Sequence, residues 1–187
     1  MGDHESSWAW RLARSELEIS LPRRWAHCQG VARAASALAA QLDCDSELLV
    51  MSAILHDIGY APRLAATGFH PLDGARFLRD EFHADDRLVR LVANHTFALL
   101  EAEERGLREQ LETEFPVPRE QALLDALTYC DITTTPDGEP TTAEDRIEEV
   151  VVRYGPDTLV GRFIRRATPD ILAAVARVES EMQSQPR

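Results

Sequence analysis

A chain of 187 residues, 44% hydrophobic and 28% charged, has enough apolar material for one packed domain and too much for a disordered one. Its net charge of −12, with acids and bases interspersed and no basic stripe, excludes duplex nucleic acid as the expected partner, because phosphate contacts dominate that affinity. The three cysteines form no CxxC pair, which argues against a zinc finger and a disulfide framework. No basic-then-apolar leader and no span-length apolar run is present, so a cytoplasmic protein without a membrane segment is expected. Every basic residue is Arg, so any phosphate contact must come from arginine, backbone or a metal ion.

Residues 1–20 read as an N-terminal extension or short helix, with His4 in a polar stretch and a helix from Trp8 to about Glu18. From Pro22 to about Leu42 a long helix is predicted: Pro22 suits a first turn, and Trp25, Cys28, Val31, Ala35 and Leu38 recur at helical steps. His27 lies beside that apolar face. A second helix follows Asp45, a predicted N-cap, and runs through LLVMSAIL to His56-Asp57, with Gly59 and Pro62 ending it. Its apolar character on almost every side predicts burial.

After a loop over residues 61–69, a helix is predicted from His70, with Pro71 in its first turn and His83 near its end. Asp85 or Asp86 caps the next helix, on which Leu88, Leu91, Val92 and His95 share one face. Residues 99–114 are strongly charged and predict a solvated helix or a lid. Residues 120–131 are helical again, with Asp131 four residues past Leu127. A turn-rich loop spans residues 132–142, and helices over 142–154 and 156–182 follow, divided by Gly155-Pro156. Residues 183–187 form a polar tail. No period-2 strand pattern and no internal repeat interrupts this all-α reading.

Two adjacent ionisable residues at the end of a buried helix cost several kcal/mol, as an order of magnitude, unless something pairs with them. The other inward-facing ionisable residues are His27, His70, His95 and Asp131. Imidazole and carboxylate together suit Mn, Fe, Co, Ni or Zn, or Mg where water shares the site. Two ions about 3.5–4 Å apart need a bridging carboxylate, and Asp57 is central in the set. The bland alternative is a buried ionic network in a helical scaffold.

The motifs RWAHCQGVA, ILHDIGY, GFHPLDGA, VANHT and LTYCDIT, spread from Pro22 to about Tyr154, resemble the HD-domain superfamily of metal-dependent phosphohydrolases. The resemblance implies a single helical HD-domain bundle over residues 21–182. It also implies one divalent ion held by His27, His56, Asp57 and Asp131, with His70 and His95 for a second ion bridged by Asp57. The implied activity is hydrolysis of a small phosphate ester or a nucleotide-type substrate by a metal-activated water, oriented by Asp57. Arg146 is a candidate phosphate contact, and Thr133 and Thr135 are either further contacts or turn formers. Many relatives carry Lys where this chain has Tyr60. The Gly-Tyr-Pro motif of cyclic-dinucleotide enzymes is absent after His95. Two other functions stay open at this point: a catalytically silent nucleotide sensor or signalling protein, and an oxygenase using two irons.

Overall fold

The computed structural model describes residues 7–184, so His4 and the tail beyond Ser184 lie outside the described residues. In chain order the helices are α1 (Trp8–Leu17), α2 (Pro22–Ala39), α3 (Ser46–Leu55), α4 (His70–Phe82), α5 (Asp86–Asn94), α6 (Ala98–Glu104), α7 (Arg108–Glu114), α8 (Gln121–Ile132), α9 (Ala143–Tyr154) and α10 (Leu159–Ser184). Single 3-10 turns, Ile58–Tyr60 and His95–Phe97, follow α3 and α5. Among the described residues the only strand-like pairing is one antiparallel bridge between Thr134 and Pro140. The fold is all-α, as the periodicity predicts.

The helix starts follow from local chemistry. The Asp45 side chain accepts the Leu48 N–H at 3.1 Å, and Asp85 accepts the Arg87 N–H at 2.9 Å. Thr142 caps α9 through the Asp145 N–H at 3.1 Å. Pro22 and Pro71 sit in the first turns of α2 and α4, where no donor is lost. His83 ends α4 in the left-handed region at φ 47°, exposed and in none of the potential ligand groups, so it is a helix cap.

Two apolar clusters organise the helices. The larger draws on α1–α8 and on Val178 of α10, with Leu17, Leu49, Ile54, Leu55, Leu72, Leu91 and Phe115 fully enclosed. Ala9, Leu12, Ala13 and Leu17 place α1 inside this cluster. The smaller joins Ile132 at the end of α8 to Val150 of α9 and Phe163, Ile164 and Ile171 of α10. Where the clusters meet, the buried residues turn polar, and the candidate site lies there.

Residues 99–114 depart from a solvated helix. They form α6 and α7 around a break at Gly106, and Ala102 and Leu111 are fully buried. Glu114 accepts from Arg76 and, at 3.0 Å, from Arg79, which ties α7 to α4. The segment is part of the wall. No helix among the described residues is long and apolar enough to cross a membrane.

Candidate metal centre

Five elements deliver the six residues singled out in the sequence, and all six converge. His27 comes from the first third of α2, His56 and Asp57 from the end of α3, His70 from the start of α4, His95 from the end of α5 and Asp131 from the end of α8. His27, His56, Asp57 and His95 are buried. Gly59 permits the approach of α4: a Cβ there would fall 2.0 Å from the His70 carbonyl oxygen. Only a bare backbone at that position lets His70 face Asp57.

The imidazoles are oriented from behind. His27 donates its Nδ1–H to the Thr135 carbonyl at 3.0 Å, His56 to the Ala53 carbonyl at 2.8 Å, and His95 to the Val92 carbonyl at 2.7 Å. A carbonyl can only accept, so in each ring Nδ1 carries the proton and Nε2 is aimed inward. Backbone carbonyls holding Nδ1–H are the usual outer support of a metal-binding histidine.

The two oxygens of Asp57 face different partners. Oδ2 lies 3.3 Å from His56 Nε2 and 3.9 Å from His27 Nε2, while Oδ1 lies 3.1 Å from His70 Nε2 and 4.0 Å from His95 Nε2. Asp131 Oδ1 closes the first group, 3.0 Å from His27 Nε2 and 3.8 Å from His56 Nε2. Donor atoms of His27, His56 and Asp57, of His56, His95 and Asp131, and of Asp57, His70 and His95 each fall within 4.8 Å of one another, a spacing compatible with divalent metal. His56 Nε2 is buried with no hydrogen-bond partner, since Asp57 Oδ2 is near it but out of line for a bond. An orphaned buried nitrogen beside two carboxylates is what a cation would satisfy.

Electrostatics sharpen the same picture. Burial alone would raise the Asp57 carboxyl, but Arg24 and His56 outweigh it and hold it well below the usual carboxylate range. Asp131 is likewise lowered against burial, by His27 and His56. Burial would lower His56, yet Asp57 and Asp131 carry it up to about 9. Burial, with His56 and His70 nearby, pushes His95 down to about 3.

Two residues at the site, Arg24 and Thr96, lie within the motifs RWAHCQGVA and VANHT but carry no role in the sequence reading. Arg24, one turn ahead of His27, places Nη1 2.6 Å from Asp57 Oδ2, and its guanidinium lies 4.1 Å from the Tyr60 ring centre. Tyr60 in turn stacks on His70, with ring centres 4.0 Å apart and planes 15° apart. Thr96 donates its hydroxyl to Asp131 Oδ2 at 2.5 Å. To do so the chain holds Thr96 (φ 47°) and Phe97 (φ 59°) left-handed in succession, which costs roughly 1–2 kcal/mol per residue for non-glycine side chains.

Arg146 lines the cavity, but its guanidinium is already engaged by the Thr134 carbonyl at 3.1 Å and by Glu149 at 2.5 Å. Thr133 donates to the Tyr129 carbonyl at the end of α8 and Thr135 Oγ1 accepts the Glu139 N–H in the turn, so both hydroxyls serve the backbone. The cavity above the cluster holds about 110 Å³ and is lined by the exposed Tyr60 and Tyr154 and the buried Phe163 and Ile164.

No solved structure matches the chain. The tRNA (cytidine(56)-2'-O)-methyltransferase of Picrophilus torridus is 37% identical to it over 79 residues, a stretch that is 42% of this chain and 22% of that protein. The chain therefore spans about a fifth of that relative's length. The HD domain model matches residues 24–147, more than half of the chain and the whole run that carries His27 through Asp131. On that match and on its helical architecture, the chain belongs to the HD domain family.

Proposed function

We propose that the protein is a metal-dependent phosphohydrolase acting on a small phosphate ester or on the phosphate end of a nucleotide. The observation that carries this reading is the two-sided Asp57, with His27 and His56 at one carboxylate oxygen and His70 and His95 at the other. His27, His56, Asp57 and Asp131 would hold one divalent ion, and Asp57, His70 and His95 a second. Ions held there supply Lewis acidity to a phosphate oxygen and acidify a water.

The remaining chemistry belongs to side chains. Asp57, an acceptor kept ionised by Arg24, is placed to orient the attacking water. Arg24, stacked on Tyr60 at the cavity wall, offers the cation that an anionic substrate needs. Thr96 bonds Asp131 Oδ2 and leaves Oδ1 to face His27 and His56. A cavity of about 110 Å³ has room for a phosphoryl group, whereas whole drug-sized ligands need roughly 300–1,000 Å³. The organic part of the substrate would extend past the exposed Tyr60 and Tyr154 into solvent.

The methyl transfer named for the Picrophilus torridus protein belongs to a chain of which this one matches 22%, and it is not carried over. The oxygenase reading keeps one observation in its favour, the presence of both His70 and His95 at Asp57 Oδ1. Screening the Mn-, Fe- and Co-loaded protein against phosphomonoesters, phosphodiesters and nucleotides, with an oxygen electrode in parallel, decides. Phosphate release that Asp57→Ala abolishes supports the hydrolase. Nucleotide binding without turnover supports a sensor, and oxygen consumption supports the oxygenase.

A further inference from the structure

We infer that the turn spanning Thr134–Pro140 is a positioning element that sets how tightly His27 can bind a metal ion, and that the contact between Gly30 and Gly138 is its latch. The inference rests on the metal reading above and concerns residues outside the cavity.

The turn has its own internal structure. The Thr135 N–H donates to the Glu139 carbonyl at 2.7 Å, the Gly138 N–H donates to the Thr135 carbonyl at 2.9 Å, and the Glu139 N–H donates to Thr135 Oγ1 at 3.0 Å. The Thr135 carbonyl accepts a second bond, from His27 Nδ1–H. That second bond fixes the tautomer leaving His27 Nε2 free to face Asp131 and Asp57. His27 and Thr135 are 108 residues apart, so nothing local brings them together. The turn must be held on α2 by other means.

One face of α2 does this, through Arg23, Ala26, Gly30 and Arg33, spaced three, four and three residues apart. A Cβ on Gly30 would lie 2.5 Å from the Gly138 carbonyl oxygen and 2.6 Å from its Cα. A Cβ on Gly138 would lie 2.3 Å from the Ala26 carbonyl oxygen, and Gly138 is left-handed at φ +83°. Backbone thus meets backbone at both glycines. Arg33 donates to the Gly138 carbonyl at 3.0 Å, and Arg23 pairs with Asp137 at 2.8 and 2.9 Å. A methyl group at Gly30 has no flexible neighbour to push aside, so it displaces the turn and takes the Thr135 carbonyl away from His27. Removing an outer partner of a metal-binding histidine commonly weakens metal affinity 10–100-fold.

The test uses the full chain, with Mn2+ as probe. Metal affinity is read from the free-ion paramagnetic resonance signal, the stability of the metal-free protein from thermal unfolding, and the His27 tautomer from imidazole nitrogen chemical shifts. Gly30→Ala is expected to weaken Mn2+ binding roughly 10–100-fold and to convert His27 from the Nδ1–H form to a mixture. Arg33→Met, an exposed substitution that adds no bulk at the contact, is expected to act in the same direction more weakly. Leu111→Ala, in the buried core at α7, which packs on α6, should lower the melting temperature and leave affinity and tautomer unchanged. Wild-type affinity and an unchanged tautomer in both Gly30→Ala and Arg33→Met would overturn the inference alone. So would affinity that merely tracks melting temperature across the three variants. A wild-type protein that binds no Mn2+, Fe2+ or Co2+ would overturn the metal reading and this inference with it.

Discussion

The Nε2 atoms of His70 and His95 lie 3.2 Å apart. Because His95 gives its Nδ1–H to the Val92 carbonyl, its Nε2 offers only a lone pair, so His70 must bring a proton or a cation must serve both. Asp57 Oδ1, 3.1 Å from His70, completes a three-donor group for such a cation. The expected outcome is about two ions per wild-type chain by elemental analysis and about one in His95→Gln. Equal counts in the two proteins would place this pair outside the metal chemistry.

Much of this centre was legible because its residues obey local rules. Asp45, Pro22, Pro71 and Asp85 announce helix starts, and six inward-facing ionisable residues, four of them buried, have no cheap alternative to convergence. Arg24 was not legible. It opens the motif RWAHCQGVA one turn ahead of His27, but nothing in the sequence marks it, among many arginines, as the partner of Asp57. Thr96 was hidden for another reason: its role depends on a left-handed backbone that threonine disfavours, which propensity reads against. The charged run over 99–114 reads as solvated by charge density alone, whereas Glu101 lies buried in an ion pair with Arg105 at 2.6 Å. The latch at Gly30 depends on residues more than a hundred positions apart, beyond any periodicity.

Stability against pH should differ between metal-free and metal-loaded protein. In the metal-free chain His56 is raised from its ordinary 6.5 to about 9 against the pull of burial, by Asp57 and Asp131. The contribution of its charged form is therefore complete below pH 6.5 and fades as pH rises through about 9. His95, lowered to about 3, works in the opposite sense: below pH 6.5 the unfolded chain takes up a proton that the native one refuses. Metal-free protein should lose on the order of 2 kcal/mol between pH 6.5 and 9.5 by denaturant titration. Metal-loaded protein should not, because an ion at Asp57 replaces the His56 proton, and loading at pH 7.5 should release protons measurable in weakly buffered solution. A flat metal-free profile over that range would refute this account.

Glu114 joins α7 to α4, and its carboxyl is lowered from the ordinary 4.5 by the hydrogen bond from Arg76, with Arg79 adding to it against burial. A depressed carboxylate stabilises above its unfolded value and ceases to do so as pH falls through its folded one. Glu114→Gln should cost about 1 kcal/mol at pH 7, and the difference from wild type should close as the pH is taken from 4.5 toward 3. Because α7 is docked, amide exchange of residues 109–114 should slow or quicken with this pair and stay indifferent to added phosphate. A segment acting as a lid would respond to phosphate instead.

Arg24 gives the sharpest separation between holding an ion and holding a substrate. Its guanidinium touches Asp57 Oδ2 at 2.6 Å and is sandwiched against Tyr60, whose ring leans on His70. As a cation beside Asp57 it competes with any ion for that oxygen, yet as a cavity-wall donor it attracts an anion. Removing it should therefore move the two affinities in opposite directions. Arg24→Met, which keeps much of the stem's bulk, should leave Mn2+ affinity equal or higher while weakening inhibition by inorganic phosphate, and lowering kcat/KM on any substrate found, by about 10–100-fold, the scale of one charge-assisted hydrogen bond. Tyr60→Phe keeps the stack and should behave as wild type, whereas Tyr60→Ala frees the guanidinium and should reproduce part of the Arg24→Met loss. If phosphate inhibition survives Arg24→Met unchanged while Mn2+ affinity falls, Arg24 supports the ion-binding cluster alone and the anion contact must lie elsewhere on the cavity wall.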